Sequence, residues 1–373
     1  MLEKRLGETR NILTINLKSI SENWIYLKSR ISRNCICGAV VKANAYGLGA
    51  KTISKKLYES GCNDFLVATL EEGANLREAL GNKSNIIVMH EHINRNENEF
   101  LNYNLIPTLN TFEQIKLWNT FLRKKNKRIE SIIQVDTGMS RLGVSINEIT
   151  SFIESSNSRS IINPLFLMSH LACAGTPENE LNKRQLKKFS SVLHKFKKRF
   201  PSTKGTIANS AGILLGHDWH FDMVRTGAAL YGINPVPKEK NSLKQAVELR
   251  ARILQIRQVD SKESVGYGAT IEVNKNAKLA TVSLGYANGF HRSLSNIGKA
   301  HINGIEIKIA GILSMDLITF DVSNVPEDIL EKYEWVDIIS PIHTVDELAY
   351  EASTISYELL TALGANIKKE YTT

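Results

Sequence analysis

Short runs of consecutive apolar residues alternate with helix-period segments over the first 235 positions of the chain. The runs are GAVVK (Gly38–Lys42), DFLVAT (Asp64–Thr69), NIIVM (Asn85–Met89), NLIPT (Asn104–Thr108), SIIQVD (Ser131–Asp136), LFLMSH (Leu165–His170), TIAN (Thr206–Asn209) and FDMVR (Phe221–Arg225). Continuous apolar character marks strands covered on both faces, as in parallel sheets. Between them lie amphipathic stretches. One is Thr52–Ser60, and a second is Glu71–Leu80, with Leu76 and Leu80 on one face. A third places Leu186, Phe189, Leu193, Phe196 and Phe200 on a single helical stripe. Eight strands alternating with helices predict an α/β fold, a (β/α)8 TIM-like barrel. Beyond Pro237 the texture changes. Val247–Val259, Leu279–Leu284, Ala300–Ala310 and Leu317–Val322 alternate apolar with polar residues, punctuated by Gly and Asn. That pattern predicts a mainly antiparallel β domain. The bend NPVPKEKN (Asn234–Asn241) predicts the boundary, with the barrel over 1–237 and the β domain over 238–373.

A length of 373 residues suits two domains. With 42% hydrophobic and 23% charged residues, the composition is that of a globular protein and excludes collagen-like or disordered classes. The net charge of +9 raises the question of a nucleic-acid partner. Eight Lys and Arg, with no acid among them, fall within Leu181–Arg199, and this one segment holds nearly all of the excess. They surround the apolar stripe already noted, and the segment matches no recognised nucleic-acid-binding module, so they read as the solvated face of an outer helix and no nucleic-acid partner is expected. No apolar run approaches the ~18 residues of a membrane span, and the N-terminus lacks the apolar core of a signal peptide, so a cytoplasmic protein without a membrane partner is expected. The four cysteines predict no disulfide framework. Cys35 and Cys37 have no second pair to complete a zinc site, so no metal is expected.

Barrel chemistry gathers at the C-terminal ends of strands. The first strand runs into VVKANAYGLG (Val40–Gly49). A lysine at such a place is partly desolvated, which frees its amine for Schiff-base chemistry. Taken alone, it also suits a snorkelling side chain with its head in water. The motif as a whole resembles the pyridoxal-phosphate lysine motif of alanine racemases. Further stretches resemble that family in the same order: VDTGMSRLG (Val135–Gly143), SHLA (Ser169–Ala172), ANSAG (Ala208–Gly212), MVRTGAALYG (Met223–Gly232), VGYGAT (Val265–Thr270), SLGYANG (Ser283–Gly289), SMD (Ser314–Asp316) and YELLT (Tyr357–Thr361).

The resemblance implies a barrel with a C-terminal β domain, pyridoxal 5'-phosphate as cofactor, and interconversion of L- and D-alanine for peptidoglycan. It implies Lys42 as the cofactor lysine and base on one face of the substrate. Tyr267, from the partner subunit of a homodimer, would be the base on the other face. Arg225 would meet the cofactor's ring nitrogen, supported by His170. Tyr46, Ser210, the backbone of Gly227 and Ala228, and Tyr357 would bind the cofactor's phosphate, and Asn209 would also contact the cofactor. Arg141, the Met315 backbone, Asp316 and Tyr286 would meet the substrate.

Several positions depart from the family pattern. Gln134 stands where a lysine, often carbamylated, usually holds the substrate arginine. An amide there can hydrogen-bond Arg141 but brings no negative charge. Gly175 and Ile312 replace a charged pair at the entry corridor, which points to a less polar entrance and a relaxed preference toward serine. A serine or broad-spectrum racemase of the same fold is therefore the alternative. Asn288 replaces an aspartate, and at Asn366–Ile367 the usual terminal pattern is absent.

Overall fold

The computed structural model describes residues 11–154 and 161–373. Eight parallel strands form the N-terminal barrel: β2 (Ile36–Val40), β3 (Asp64–Val67), β4 (Asn85–Val88), β5 (Ile106–Leu109), β6 (Glu130–Gln134), β7 (Asn163–Met168), β8 (Lys204–Thr206) and β9 (Met223–Thr226). All eight expected runs become strands, displaced by a residue or two. They pair in the order β8-β7-β6-β5-β4-β3-β2-β9. Between β8 and β9 the barrel closes through single contacts rather than a ladder. Asp222 N–H donates to Gly205 C=O (3.0 Å), Arg225 N–H donates to Ala208 C=O (3.0 Å), and the Thr206 hydroxyl donates to Met223 C=O (2.8 Å).

The strands are apolar on both faces for a reason. Val40, Leu66, Ile87, Ile106, Ile132, Phe166, Met168 and Met223 form one buried cluster. Their chain neighbours, such as Ala39, Phe65, Val67, Ile86 and Val88, point the other way, into a larger cluster under the outer helices. Those helices include α1 (Leu17–Ser29), α2 (Ala50–Glu59), α3 (Leu70–Leu80), α4 (Phe112–Lys125), α5 (Ile146–Glu154) and α6 (Glu180–Arg199). On α6 the stripe expected from sequence is buried at Phe189, Leu193 and Phe196, while its lysines face solvent. No described helix is long and apolar enough to cross a membrane.

The second unit is built on β10 (Val247–Gln258), the hairpin of β11 (Glu263–Val265) and β12 (Ile271–Val273), β13 (Lys278–Val282), β14 (Lys299–Ile302), β15 (Ile305–Ile309), β16 (Ile318–Asp321), β17 (Trp335–Ile339) and β18 (Lys369–Thr372). Short helices α7 (Val345–Glu351) and α8 (Ser356–Asn366) precede β18. With β1 (Asn11–Asn16), one eight-stranded sheet runs β13-β16-β15-β14-β17-β10-β1-β18, and β10 also pairs with β13. The pairings are antiparallel except β1 with β18.

One feature departs from the expected division at residue 237. The first strand, β1 (Asn11–Asn16), pairs with β10 (Ile15 opposite Val247) and with β18, so it belongs to the second sheet and not to the barrel. A segment of six residues carries too little pattern to say which sheet edge it completes. The first and last described strands, β1 and β18, thus lie side by side in the β-domain sheet.

Candidate active site

Lys42 follows β2 at the C-terminal mouth of the barrel. The next four residues, Ala43, Asn44, Ala45 and Tyr46, all have positive φ, between 50° and 57°. This is a left-handed helical turn without a glycine, a conformation that costs L-residues about 1–2 kcal/mol each. Several contacts hold it. Ala45 N–H donates to Val41 C=O (2.8 Å), and Gly49 N–H donates to Asn44 C=O (2.8 Å). The Asn44 side chain accepts from Ala50 N–H (2.9 Å). Glu72, in the first turn of α3, accepts Ala43 N–H on one carboxylate oxygen (2.6 Å) and Ala68 N–H on the other (2.7 Å). Beyond the turn, the Tyr371 hydroxyl of β18 donates to Leu48 C=O (3.0 Å). The C-terminal tail, left open by its missing motif, therefore ends as a strand latched to the lysine loop. Burial holds the Lys42 amine below its ordinary pKa, and the nearby Arg141 charge adds to this, while Glu72 opposes it.

The turn delivers Tyr46 to a corner of hydroxyls and backbone N–H groups. Its ring packs between Tyr231 (centroids 4.8 Å apart) and Tyr357 (5.8 Å). Its hydroxyl lies so close to Gly227 that a Cβ there would sit 2.5 Å from the oxygen. Asn209 caps the short helix 210–214 by accepting from Gly212 N–H (3.0 Å). Ser210 accepts from Gly227 N–H (2.9 Å) and Ala229 N–H (3.4 Å). With both lone pairs engaged, its hydroxyl has only a proton left to offer. Hydroxyls, a capped helix start and a glycine approach are the donor set that suits a phosphate.

Arg225, on β9, is buried to 3% exposure. Its guanidinium donates to Thr206 Oγ1 (2.6 Å), Ser169 C=O (2.6 Å) and Ile207 C=O (3.2 Å), and meets His170 Nδ1 at 3.3 Å. Arginine has only donors, so His170 Nδ1 must present a lone pair and the imidazole is neutral. Burial, with Arg225, Arg141 and Lys42 nearby, pushes the His170 pKa down to about 3, in agreement. Burial lowers Arg225 to about 10, which still leaves it charged at neutral pH. The loop that follows His170 is held from α6. Gln185 donates to His170 C=O (2.8 Å) and accepts from Ala172 N–H (2.9 Å), and Asn182 donates to Cys173 C=O (3.1 Å).

Arg141 lies in the loop after β6. Asp136 organises that loop by accepting from the N–H groups of Gly138 (2.8 Å), Met139 (2.9 Å) and Ser140 (3.1 Å). Burial alone would raise its pKa, but these three donors prevail and lower it. Gln134 does not engage the guanidinium as its position suggested. Its amide donates to Leu142 C=O (3.0 Å) and so ties the loop through the backbone beside Arg141. Lys42, Tyr46, Gln134, Arg141, His170, Asn209, Ser210, Arg225, Gly227, Ala228 and Tyr357 all line one cavity of about 730 Å³.

Tyr267, Tyr286, Met315 and Asp316 do not reach this cavity within the chain. They stand exposed on neighbouring loops of the β domain, Tyr267 to 69% and Met315 to 55%. Tyr286 N–H donates to Ser314 C=O (3.3 Å), and Ala287 N–H donates to Met315 C=O (2.9 Å), which joins two of these loops. Asn288 also gains an explanation: its side-chain oxygen accepts Gly285 N–H (3.1 Å), a bond that an aspartate oxygen could make equally. Glu72, Gln185, and the cavity residues Met89 and His90 at the end of β4 were not singled out in the sequence. Only the strand-end position of the last two could have drawn attention to them.

The two halves of the chain match two family profiles, "Alanine racemase, N-terminal domain" over residues 15–235 and "Alanine racemase, C-terminal domain" over residues 246–371. The alanine racemase of Rhodospirillum rubrum is 39% identical over 360 residues, spanning 96% of this chain and 95% of that one. That of Rickettsia canadensis is 41% identical over 360 residues, spanning 96% and 98%. Among solved structures, the alanine racemase from Bartonella henselae with covalently bound pyridoxal phosphate superposes with a TM-score of 0.91 at 36% identity, over 98% of this chain and 100% of that chain. Fold and relatives together define an isomerase of the amino-acid racemase class. Within that class, the chain belongs to the alanine racemase family.

Proposed function

We propose that the protein racemises alanine with pyridoxal 5'-phosphate carried on Lys42, as a homodimer in which Tyr267 of the partner subunit completes each site. The observation that carries this reading is the single cavity in which a desolvated lysine faces an anion cradle. The residues fit the cofactor: Ser210 has only a donor to give, and the missing side chain at Gly227 lets the Tyr46 hydroxyl come close beside it. Tyr46, Asn209, Ser210, the backbone of Gly227 and Ala228, and Tyr357 would hold the phosphate end. Arg225, which can only donate, would hold the ring nitrogen without giving it a proton.

Pyridoxal phosphate, when bound, supplies the electron sink that acidifies the Cα–H of an amino acid attached to it. The chain supplies the rest. Arg141 is suited to pair with the substrate carboxylate through its planar fork. The Met315 backbone, Asp316 and Tyr286 would approach from the partner beside Tyr267. Racemisation needs one proton carrier on each face of a planar carbon. The Lys42 amine, held below its ordinary pKa by burial, takes or gives the proton on one face, and the Tyr267 phenol does so on the other. The exposure of Tyr267, Tyr286 and Met315 together supports a face made to be covered by a second copy. We further infer a cytoplasmic enzyme whose D-alanine serves peptidoglycan.

The test is the absorbance of the purified protein with pyridoxal phosphate, followed by a chiral assay of alanine and serine. A visible band that disappears in Lys42→Ala, with a clear preference for alanine in kcat/KM, is expected. A band that persists without Lys42 would refute the reading. Serine turned over as well as alanine would transfer the assignment to a broad-spectrum racemase, in keeping with Gly175 and Ile312.

A further inference from the structure

We infer that Glu72 is a positioning residue for the reaction, fixing the left-handed turn that aims Lys42 and placing negative charge near its amine. The inference rests on the reading that Lys42 carries the cofactor.

The carboxylate spans two backbone donors from different elements. One oxygen holds the peptide immediately after Lys42, at Ala43 N–H (2.6 Å), and the other holds the end of β3, at Ala68 N–H (2.7 Å). The first bond lands on the opening residue of a run of four consecutive residues with positive φ, none of them glycine. A backbone held in so unfavourable a region persists only where its surroundings over-determine it. Glu72 is itself set in place at the start of α3, where the Thr69 hydroxyl accepts its N–H (3.3 Å). It reaches Lys42 from α3. Arg141 faces the same cavity from the β6 loop, His170 from the end of β7 as a neutral imidazole, and Arg225 from β9. His90 lies at the end of β4, Glu358 lines the cavity from α8, and the phenols of Tyr46 and Tyr357 are held protonated by burial. Glu72 is thus the acid bonded to the lysine's own turn.

Two variants separate shape from charge. Glu72→Gln keeps the length but loses the charge and one acceptor. Glu72→Asp keeps the charge but is too short to span both N–H groups. Each would be assayed for folding by urea denaturation, for pyridoxal-phosphate affinity by titration of the cofactor-free protein, and for the pH dependence of the rate at which the lysine-bound band appears. Both variants should weaken cofactor binding roughly tenfold, the scale of one lost charge-assisted hydrogen bond. Glu72→Gln alone should move the pH–rate midpoint to lower pH, because losing a nearby negative charge disfavours the ammonium form. Wild-type affinity together with a wild-type pH profile in both variants would overturn the inference. So would loss of affinity in step with global unfolding and with no change in the profile. If the unmodified protein fails to bind the cofactor, the reading of Lys42 falls instead.

Discussion

Gly227 is small because the Tyr46 hydroxyl occupies the space beside it, and Tyr46 cannot move aside because Tyr231 and Tyr357 flank its ring. Gly227→Ala should therefore displace the cradle rather than be absorbed. We expect a roughly tenfold loss of pyridoxal-phosphate affinity in a fluorescence titration and a stability loss of about 1–3 kcal/mol in urea denaturation, the usual cost of overpacking. His170 gives a prediction in pH. Its pKa is about 3 in the folded protein against an ordinary value of 6.5, so between these values the unfolded chain binds a proton that the native state does not. Stability should fall as the pH drops through that window, by on the order of 1–2 kcal/mol from about pH 7 to about pH 5. His170→Gln should show a smaller loss over the same interval in urea denaturation. Lys42 stood out as a desolvated amine at a strand end, and its role and that of Arg225 became legible through motifs that resemble those of a known family. Glu72 and Gln185 were not, since they act on backbone groups whose positions only the folded chain defines.

At the level of elements, the barrel strands were legible because burial on both faces leaves an unbroken apolar run. The hairpins of the β domain were legible because one face alternates. The turn after Lys42 was invisible: ANAY contains no glycine, and nothing local favours four positive φ angles in a row. β1 and β18 were also missed as partners, since the pairing joins opposite ends of the chain. Yet this pairing brings Tyr371 to Leu48, and Gly49, at φ +106°, has no room for a Cβ beside that hydroxyl. Tyr371→Phe removes the hydroxyl's neutral hydrogen bond to Leu48 C=O, so about 1 kcal/mol of stability should be lost. Hydrogen exchange should show the loss concentrated in residues 42–50. Uniform exchange across the barrel would mean that the latch does not hold the lysine loop.

For the molecule as a whole, most of the net charge that first suggests a polyanion partner sits on the solvent face of α6, and none of its lysines or arginines lines the cavity. In the proposed reaction the charges that would act are few and local: Lys42, Arg141, Arg225 and Glu72. Tyr267 and Tyr286 of the β domain line no part of the barrel cavity within the chain, and in the proposed dimer a symmetric pair of chains would supply them to each other. Mixing two inactive variants tests that account directly. Lys42→Ala and Tyr267→Phe should each lack activity as purified homodimers. After the two are unfolded together and refolded, half of the dimers should hold one site with both native residues. Racemisation of alanine should then return to roughly a quarter of the wild-type specific activity under random re-pairing. No recovery in a mixture shown to contain heterodimers would contradict the shared site.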